Sequence, residues 1–514
     1  MRITNKIMQN NNLSNINTNK VLEDRLSNQM STQKKINRPS DDPVVAIRAL
    51  RLRTSVTEVT QYYSKNIPDA SSWLDVTEGA LNNLSTIITN MISQCTRGAN
   101  GDITTSDREI ILEQLKALSG EVYTTGDVDY AGRYVFAGYR TDTSMCFPEE
   151  TDKQYSITEQ IHNSELDAVT AVNMGNVTDI TEVNYMEAGI KDIKEQAVSK
   201  VDVHRFRLAY SDCSDRDDIN VCVKSSDNPV SVDWSMTATG DSAIVMKHSY
   251  EDPYTLVAED PDLCIYVPET GELLLGDNRY QKLMEIKDDV TTVKDESEIL
   301  VSYEKDKFVK GDLRPEHYFY CESDGVKYNK GYLNSEKEKQ IIEYDVGFNQ
   351  TIQVNTVCDE CFVHGIKRTV DDLSDTVDEV AQLEKLKSTL TTLKTKATGE
   401  DEKVLGDQLD AVEKALTLSK DKCQKMFEKS ITAFQNYLNN TNIAMTNCGT
   451  RSSKLALVES RMQNQKTTYE TLKSENEDVD ITETVINLQA ASTTYQAALM
   501  ATGKISQTTL LNYL

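Results

Sequence analysis

The sequence predicts a mainly α-helical protein with an inserted β-rich domain: terminal helices paired as a coiled coil, a helical bundle next to them, and the β domain between the two halves of that bundle. Three observations carry that prediction. Apolar residues recur at steps of three and four from Leu13 to Leu118 and again from Leu405 to Ile505, the spacing of one helix face. From about residue 141 short runs alternate apolar with polar between Gly, Asp and Asn, as half-buried strands and turns do. Finally, the order of parts reads the same from either end: terminal helix, hinge, bundle, β domain, bundle, hinge, terminal helix.

Taken in order, the first 35 residues are polar and Asn-rich and place Leu13, Ile16, Val21, Leu22, Leu26 and Met30 at helical spacing. The stretch Asn37 to Pro43 stops that helix. Pro39 disfavours helix in Arg38, while Ser40 or Asp42 can cap a new helix with Pro43 in its first turn. Asp41 and Asp42 also suit the positive end of that helix, so Pro39, Ser40, Asp41, Asp42 and Pro43 form a hinge. The restarted helix carries Ile47, Leu50, Val56, Val59, Tyr63 and Ile67 and is expected to end near Pro68. A third runs from Trp73 through Leu81, Leu84, Ile88 and Met91 to the break RGANGD, and Ser106 with Glu109 is expected to form a capping box for a fourth.

The strands are expected at 219–223, 230–234, 263–275, 298–303 and 351–357. Helix then returns with Leu405, Leu409, Val412, Leu416, Cys423, Met426, Phe434 and Tyr437, breaks near Asn447 to Gly449, and resumes at Leu455, Val458, Met462, Tyr469 and Leu472. After KSENEDVD, Asp480 can cap a terminal helix with Glu483 three residues on. The expected domains are 1–40 with 476–514, a terminal coiled-coil segment; 41–140 with 365–475, the bundle; and 141–364, the β-rich insertion.

Composition limits the function. With 55 Lys+Arg against 82 Asp+Glu the net charge is -27, which opposes nucleic acid and anionic membrane surfaces. No apolar run reaches the ~18 residues of a membrane span, and MRITNKIMQNNNLSN lacks the apolar core of a secretory signal. The ten cysteines are scattered, as reduced thiols are. Cys358 and Cys361 form a CxxC with His364 three residues on, but a closed zinc site needs four ligands and no second pair is present. The five histidines sit apart, and no phosphate loop or nucleophile elbow occurs. No catalytic, cofactor or metal residue is assigned, and no cofactor is expected.

Two helical halves separated by a β domain must meet, because each has an apolar stripe too narrow to bury alone. The terminal helices are expected to pair through Leu22, Leu26, Val485, Leu488, Tyr495 and Leu499, with Leu511 extending the stripe. Two such helices bury little more than one seam. The remaining apolar surface predicts assembly with other copies of the chain through the joined ends. Arg48, Arg51 and Arg53 lie within two helical turns and are candidates for charge pairs with neighbouring subunits, each contributing roughly 0 to 1 kcal/mol if exposed.

Asn37-Arg-Pro-Ser-Asp-Asp-Pro43, the Arg48 to Arg53 stretch, Trp73-Leu-Asp-Val-Thr-Glu78 and Gly132-Arg-Tyr-Val-Phe-Ala-Gly138 resemble the amino-terminal signature of the bacterial flagellin superfamily. The carboxy end, from Leu488 through Ile505 to Leu514, resembles the superfamily's hook-associated members more than its filament subunit. The resemblance covers about 1–147 and 400–514, with a weaker echo at 344–355. It implies a structural, secreted protein of the flagellar hook–filament junction. Its paired termini would form the inner tube, its bundle the next shell, and its variable outer β domain would face outward. It further implies export by the flagellar type III apparatus, a chaperone on the carboxy-terminal helix, and axial stacking on a neighbouring hook-associated protein and on flagellin. The filament subunit itself is the alternative.

Overall fold

The computed structural model describes residues 5–162, 165–214, 219–223, 232–286, 299–333 and 340–507. The protein is mostly helical with a separate β-rich region. Its helices are α1 (Asn5–Thr32), α2 (Pro43–Gln61), α3 (Ile67–Gly98), α4 (Thr105–Gly126), α5 (Pro253–Glu259), α6 (Asp277–Met284), α7 (Pro315–Tyr318), α8 (Gly365–Lys394), α9 (Glu400–Glu477) and α10 (Ile481–Gln507). The chain divides into two compact units. The first gathers the described residues of Met1–Ser71, Tyr344–Ile352 and Ser453–Leu514; the second those of Ser72–Glu343 and Gln353–Ser452.

In the first unit α1 packs on α10, and α2 does not end at Pro68. A π-turn over Tyr62–Asn66 follows α2 and passes directly into α3, with the Ile67 N–H donating to the Tyr62 carbonyl. The wider turn carries the helix past a residue that has no N–H of its own. The short hairpin built from Glu343–Gly347 and Gln350–Gln353 is tied to this helix: Asn66 Nδ2 donates to the Asp345 carbonyl at 2.8 Å and the Tyr344 hydroxyl donates to Asp69 at 2.5 Å.

In the second unit two sheets, antiparallel but for one strand pair, share one core. The six-stranded sheet runs, edge to edge, Val326–Tyr328, Tyr320–Ser323, Tyr155–Ile161, Ile299–Lys305, Asn220–Val223, Asp233–Ser235. The five-stranded sheet runs Asp167–Asn173, Ser199–Arg207, Glu272–Leu275, Cys264–Val267 and finally Val245–Met246, which pairs parallel to its neighbour. Tyr155, Ile157, Val301 and Tyr303 of the first sheet meet Phe206, Tyr266, Leu273 and Leu275 of the second. The hairpin of Cys264–Val267 and Glu272–Leu275 is buried at every position because α5 lays Val257 over its other face, against Val203, Ile265, Val267 and Leu274. Strands covered on both faces read as continuous apolar runs rather than alternating ones.

Helices of the second unit bury Leu81, Leu84, Ile88 and Met91 of α3, Leu112 and Leu115 of α4, Leu373 and Val377 of α8, and Leu405, Val412, Phe427 and Phe434 of α9. Two sequence expectations need correction here. The cap of α4 is Thr104, whose hydroxyl accepts from Asp107 N at 3.2 Å while the Asp107 carboxylate accepts from Thr104 N at 3.3 Å. The helix therefore starts before Ser106, and Glu109 lies beyond the capping pair. Nor does α9 break near Gly449: it runs unbroken for 78 residues. A lone glycine costs a helix only ~1 kcal/mol, and buried Ala444 and Cys448 beside it hold the turn in place.

All ten cysteines are free thiols, nine buried and Cys222 half-buried. Burial pushes the thiols of Cys95, Cys264 and Cys321 up to about 12.

Glycine positions test the packing. A Cβ on Gly449 would meet nothing within 4 Å, whereas one on Gly98 would lie 2.4 Å from the Phe427 ring. Gly449→Ala is expected to raise stability by about 0.5–1 kcal/mol and Gly98→Ala to lower it by about 1–3 kcal/mol; chemical denaturation of the two variants reads opposite signs from the same substitution.

Candidate assembly surface at the paired chain ends

The joined ends are built around one carboxylate. Glu477, the last residue of α9, has a side chain only 3% exposed. The Arg53 guanidinium on α2 clasps it with Nε at 2.6 Å and Nη2 at 2.8 Å, and Lys34 Nζ stands 3.6 Å away while bonding Asp478. These hydrogen bonds, Arg53 first, hold the Glu477 carboxyl below its ordinary range. Around it the backbone closes like two strands: Lys35 N donates to the Glu477 carbonyl at 2.7 Å and Val479 N to the Gln33 carbonyl at 3.1 Å. Asn476 Nδ2 adds a bond to the Val45 carbonyl at 3.2 Å. Gln33 itself takes φ 58°, the left-handed turn that ends α1 and aims its carbonyl across.

The hinge residues divide the work. Asp41 N donates to the Arg38 carbonyl at 3.0 Å, closing a turn over exposed Pro39 and Ser40. Proline favours that second turn position. Asp41 Oδ2 accepts from the amides of Asn37 and Arg38 at 3.1 and 2.9 Å, which holds its carboxyl below the usual range. Asp42, not Ser40, caps α2, accepting from Val44 N and Val45 N at 3.0 and 3.1 Å, with Pro43 as first helical residue. Asp480 caps α10 in the same way through Thr482 N and Glu483 N at 2.8 and 3.2 Å.

Between α1 and α10 the least exposed positions are Asn12, Ile16, Asn19, Glu23, Leu26 and Gln29 facing Thr484, Leu488, Ala491, Ser492, Tyr495, Ala498 and Thr502. Steps of four and three dominate, a 3.5-residue repeat. Leu26, Leu488 and Tyr495 fall on it. Leu22, Val485 and Leu499 do not: they are 46%, 40% and 45% exposed, one position off the seam. Leu511 lies outside the described residues. Because half of the seam is amide, hydroxyl or carboxylate, among the described residues of the two helices only Ile16 and Ala491 are buried apolar side chains. Met8, Leu13, Val21 and Met30 on α1, and Ile481, Ile486 and Met500 on α10, are exposed.

The three arginines do not act alike. Arg48 and Arg51 are exposed, but Arg53 is committed within its own chain to Glu477, because a buried carboxylate requires a counter-charge. Polar seam residues and this pair, 424 positions apart in sequence, have no periodic signature by which a sequence could reveal them. Among the described residues no group of three or more His, Cys, Asp or Glu is arranged to hold a metal ion, and no helix is long and apolar enough to cross a membrane.

Residues 3–141, which contain α1, the hinge, α2, α3 and α4, match the family model of the bacterial flagellin N-terminal helical region. More particularly, the chain is 28% identical over 180 residues to flagellar hook-associated protein 3 of Escherichia coli (strain K12), covering 35% of this chain and 56% of that one. It is 30% identical over 122 residues to flagellin of Clostridium tyrobutyricum, covering 24% of this chain and 32% of that one. A solved structure of the flagellar junction protein from Legionella pneumophila aligns with 80% of this chain and 99% of its own at 10% identity and a TM-score of 0.27. The chain thus spans about half the length of the hook-associated relative it matches.

Replacing Arg53 by Ala leaves a buried carboxylate with Lys34 at 3.6 Å and the influence of Lys473. The expected loss is about 1–3 kcal/mol at neutral pH, read by denaturant unfolding. Since the folded carboxyl is depressed, that stabilisation is present above the unfolded value of 4.5 and fades as pH falls through the folded one. Wild type and Arg53→Ala should therefore converge in acid.

Proposed function

We propose that the chain is a structural, non-enzymatic subunit of the bacterial flagellum that forms the hook–filament junction. One observation carries the reading: both paired ends keep their large apolar side chains in solvent, with Leu22, Val485 and Leu499 among them. A seam of 3.5-residue repeat supports pairing as a coiled coil, and exposed apolar stripes on both its flanks are the surface that adjoining subunits would cover. In this reading residues 1–40 and 476–514 line the inner tube, 41–140 and 365–475 form the bundle around it, and 141–364 face outward. The hinge Pro39 to Pro43 turns the chain from one shell to the next, and Arg48 and Arg51 pair with acidic groups of neighbouring subunits. Hook-associated protein and flagellin are the axial neighbours, the type III apparatus exports the chain, and a chaperone shields α10 until then.

The match to flagellin keeps the main filament subunit as a second reading. Labelling the protein on intact flagella separates the two: a band confined to the filament base is expected, and label along the whole filament would reverse the assignment. Truncation before Ile481 should abolish assembly yet leave a soluble, folded chain whose far-UV signal drops only by the lost helix; global unfolding would make these helices core instead.

A further inference from the structure

In the second unit a cavity of about 690 Å³ lies where strand Ser199–Arg207, the first turns of α8 and the middle of α9 come together. Three guanidiniums stand in its wall, Arg205, Arg207 and Arg368, and Arg205 and Arg368 are 4% and 5% exposed. Their partners are unequal. Arg205 bonds Glu272 and reaches both Asp372 oxygens, at 3.2 and 2.8 Å. Among the described residues Arg207 pairs with that same Asp372 alone. Arg368 gives one terminal nitrogen to the carbonyls of Thr270 and Gly271 and meets no carboxylate among the described residues. On all three, Nε is buried with no hydrogen-bond partner. The carboxylates elsewhere in the wall are occupied: Glu159 by the Tyr303 hydroxyl and the Ala209 amide, Asp167 by Lys429, and Glu165 by the His162 amide. Burial first, and after it Arg368, pull the Arg207 guanidinium down to about 10.

Guanidiniums with unmet N–H groups in a low-dielectric site recognise oxyanions through paired N–H···O bonds. We propose that this cavity binds a small oxyanion, a phosphate or carboxylate borne on a compact molecule, held by Arg207 and Arg368. Ser430, Asn436 and Tyr437 on the α9 wall offer hydrogen bonds to the rest of such a molecule. The chain's net charge of -27 repels anions at long range, so retention of one reports local geometry.

The test is calorimetric titration of the full chain at low ionic strength with inorganic phosphate and, separately, citrate. Saturable one-to-one binding of at least one anion is expected, weakened tenfold or more in both Arg207→Gln and Arg207→Lys, since the lysine keeps the charge but loses the fork. Phosphate alone would assign the phosphate class, and citrate alone the carboxylate class. Should the Arg207 variants fail to fold, Asn436→Asp sets a carboxylate opposite the guanidiniums at an exposed position and should weaken binding by a similar factor. Absence of binding by either anion, or binding that survives these substitutions, overturns the proposal.

Discussion

One buried carboxylate, Glu477, organises the first unit. It lies at the end of α9, receives Arg53 from α2, attracts Lys34 from the segment after α1, and accepts the Lys35 amide through its own carbonyl. The end of α9 is thereby fixed, in one hydrogen-bonded knot, to two stretches of chain 424 and 444 positions away. A carboxylate so enclosed is costly without its partners, and that cost sets the register between α1 and α10. With the register fixed, the seam falls on residues that are half polar, and the apolar side chains on either side of it are directed outward.

The second unit solves a different problem by a different route. A hairpin buried at every residue needs cover on two faces, and it has the facing sheet on one and α5 on the other. Charge is handled by sharing. Asp372 on α8 serves both Arg205 and Arg207, so the helix is bonded to strand Ser199–Arg207 by a shared anion rather than by apolar contact alone. Such a junction is directional, because a small rotation of α8 would separate both pairs together.

Helices and strands were legible where period decided them. The steps of three and four located α1, α3, α4, α9 and α10 but not all of their ends, and the apolar runs at 219–223 and 263–275 became strands Asn220–Val223, Cys264–Val267 and Glu272–Leu275. Local signals misled wherever neighbours outweighed them. Pro68 marked an end that a π-turn bypasses, Gly449 marked a break that flanking core residues close, and Ser106 marked a cap two residues late. At the chain ends, apolarity selected Leu22, Val485 and Leu499, yet the seam follows Asn19, Glu23 and Thr484. Composition ranks residues by their affinity for water, whereas position on a helix pair depends on phase. Arg53 could not be separated from Arg48 and Arg51 before its partner was placed, since its role depends on a residue 424 positions away.

The cysteines have a practical consequence for anyone working with the molecule. Disulfide exchange and alkylation run through the thiolate, and burial keeps nine of these thiols enclosed and protonated, with Cys95, Cys264 and Cys321 at about 12. Nine of the ten sulfurs therefore behave almost as small hydrocarbons. A cysteine engineered on an exposed helix face would react with maleimide far ahead of the native set, giving a fluorescent or spin-labelled handle without stripping the natural sulfur from the chain.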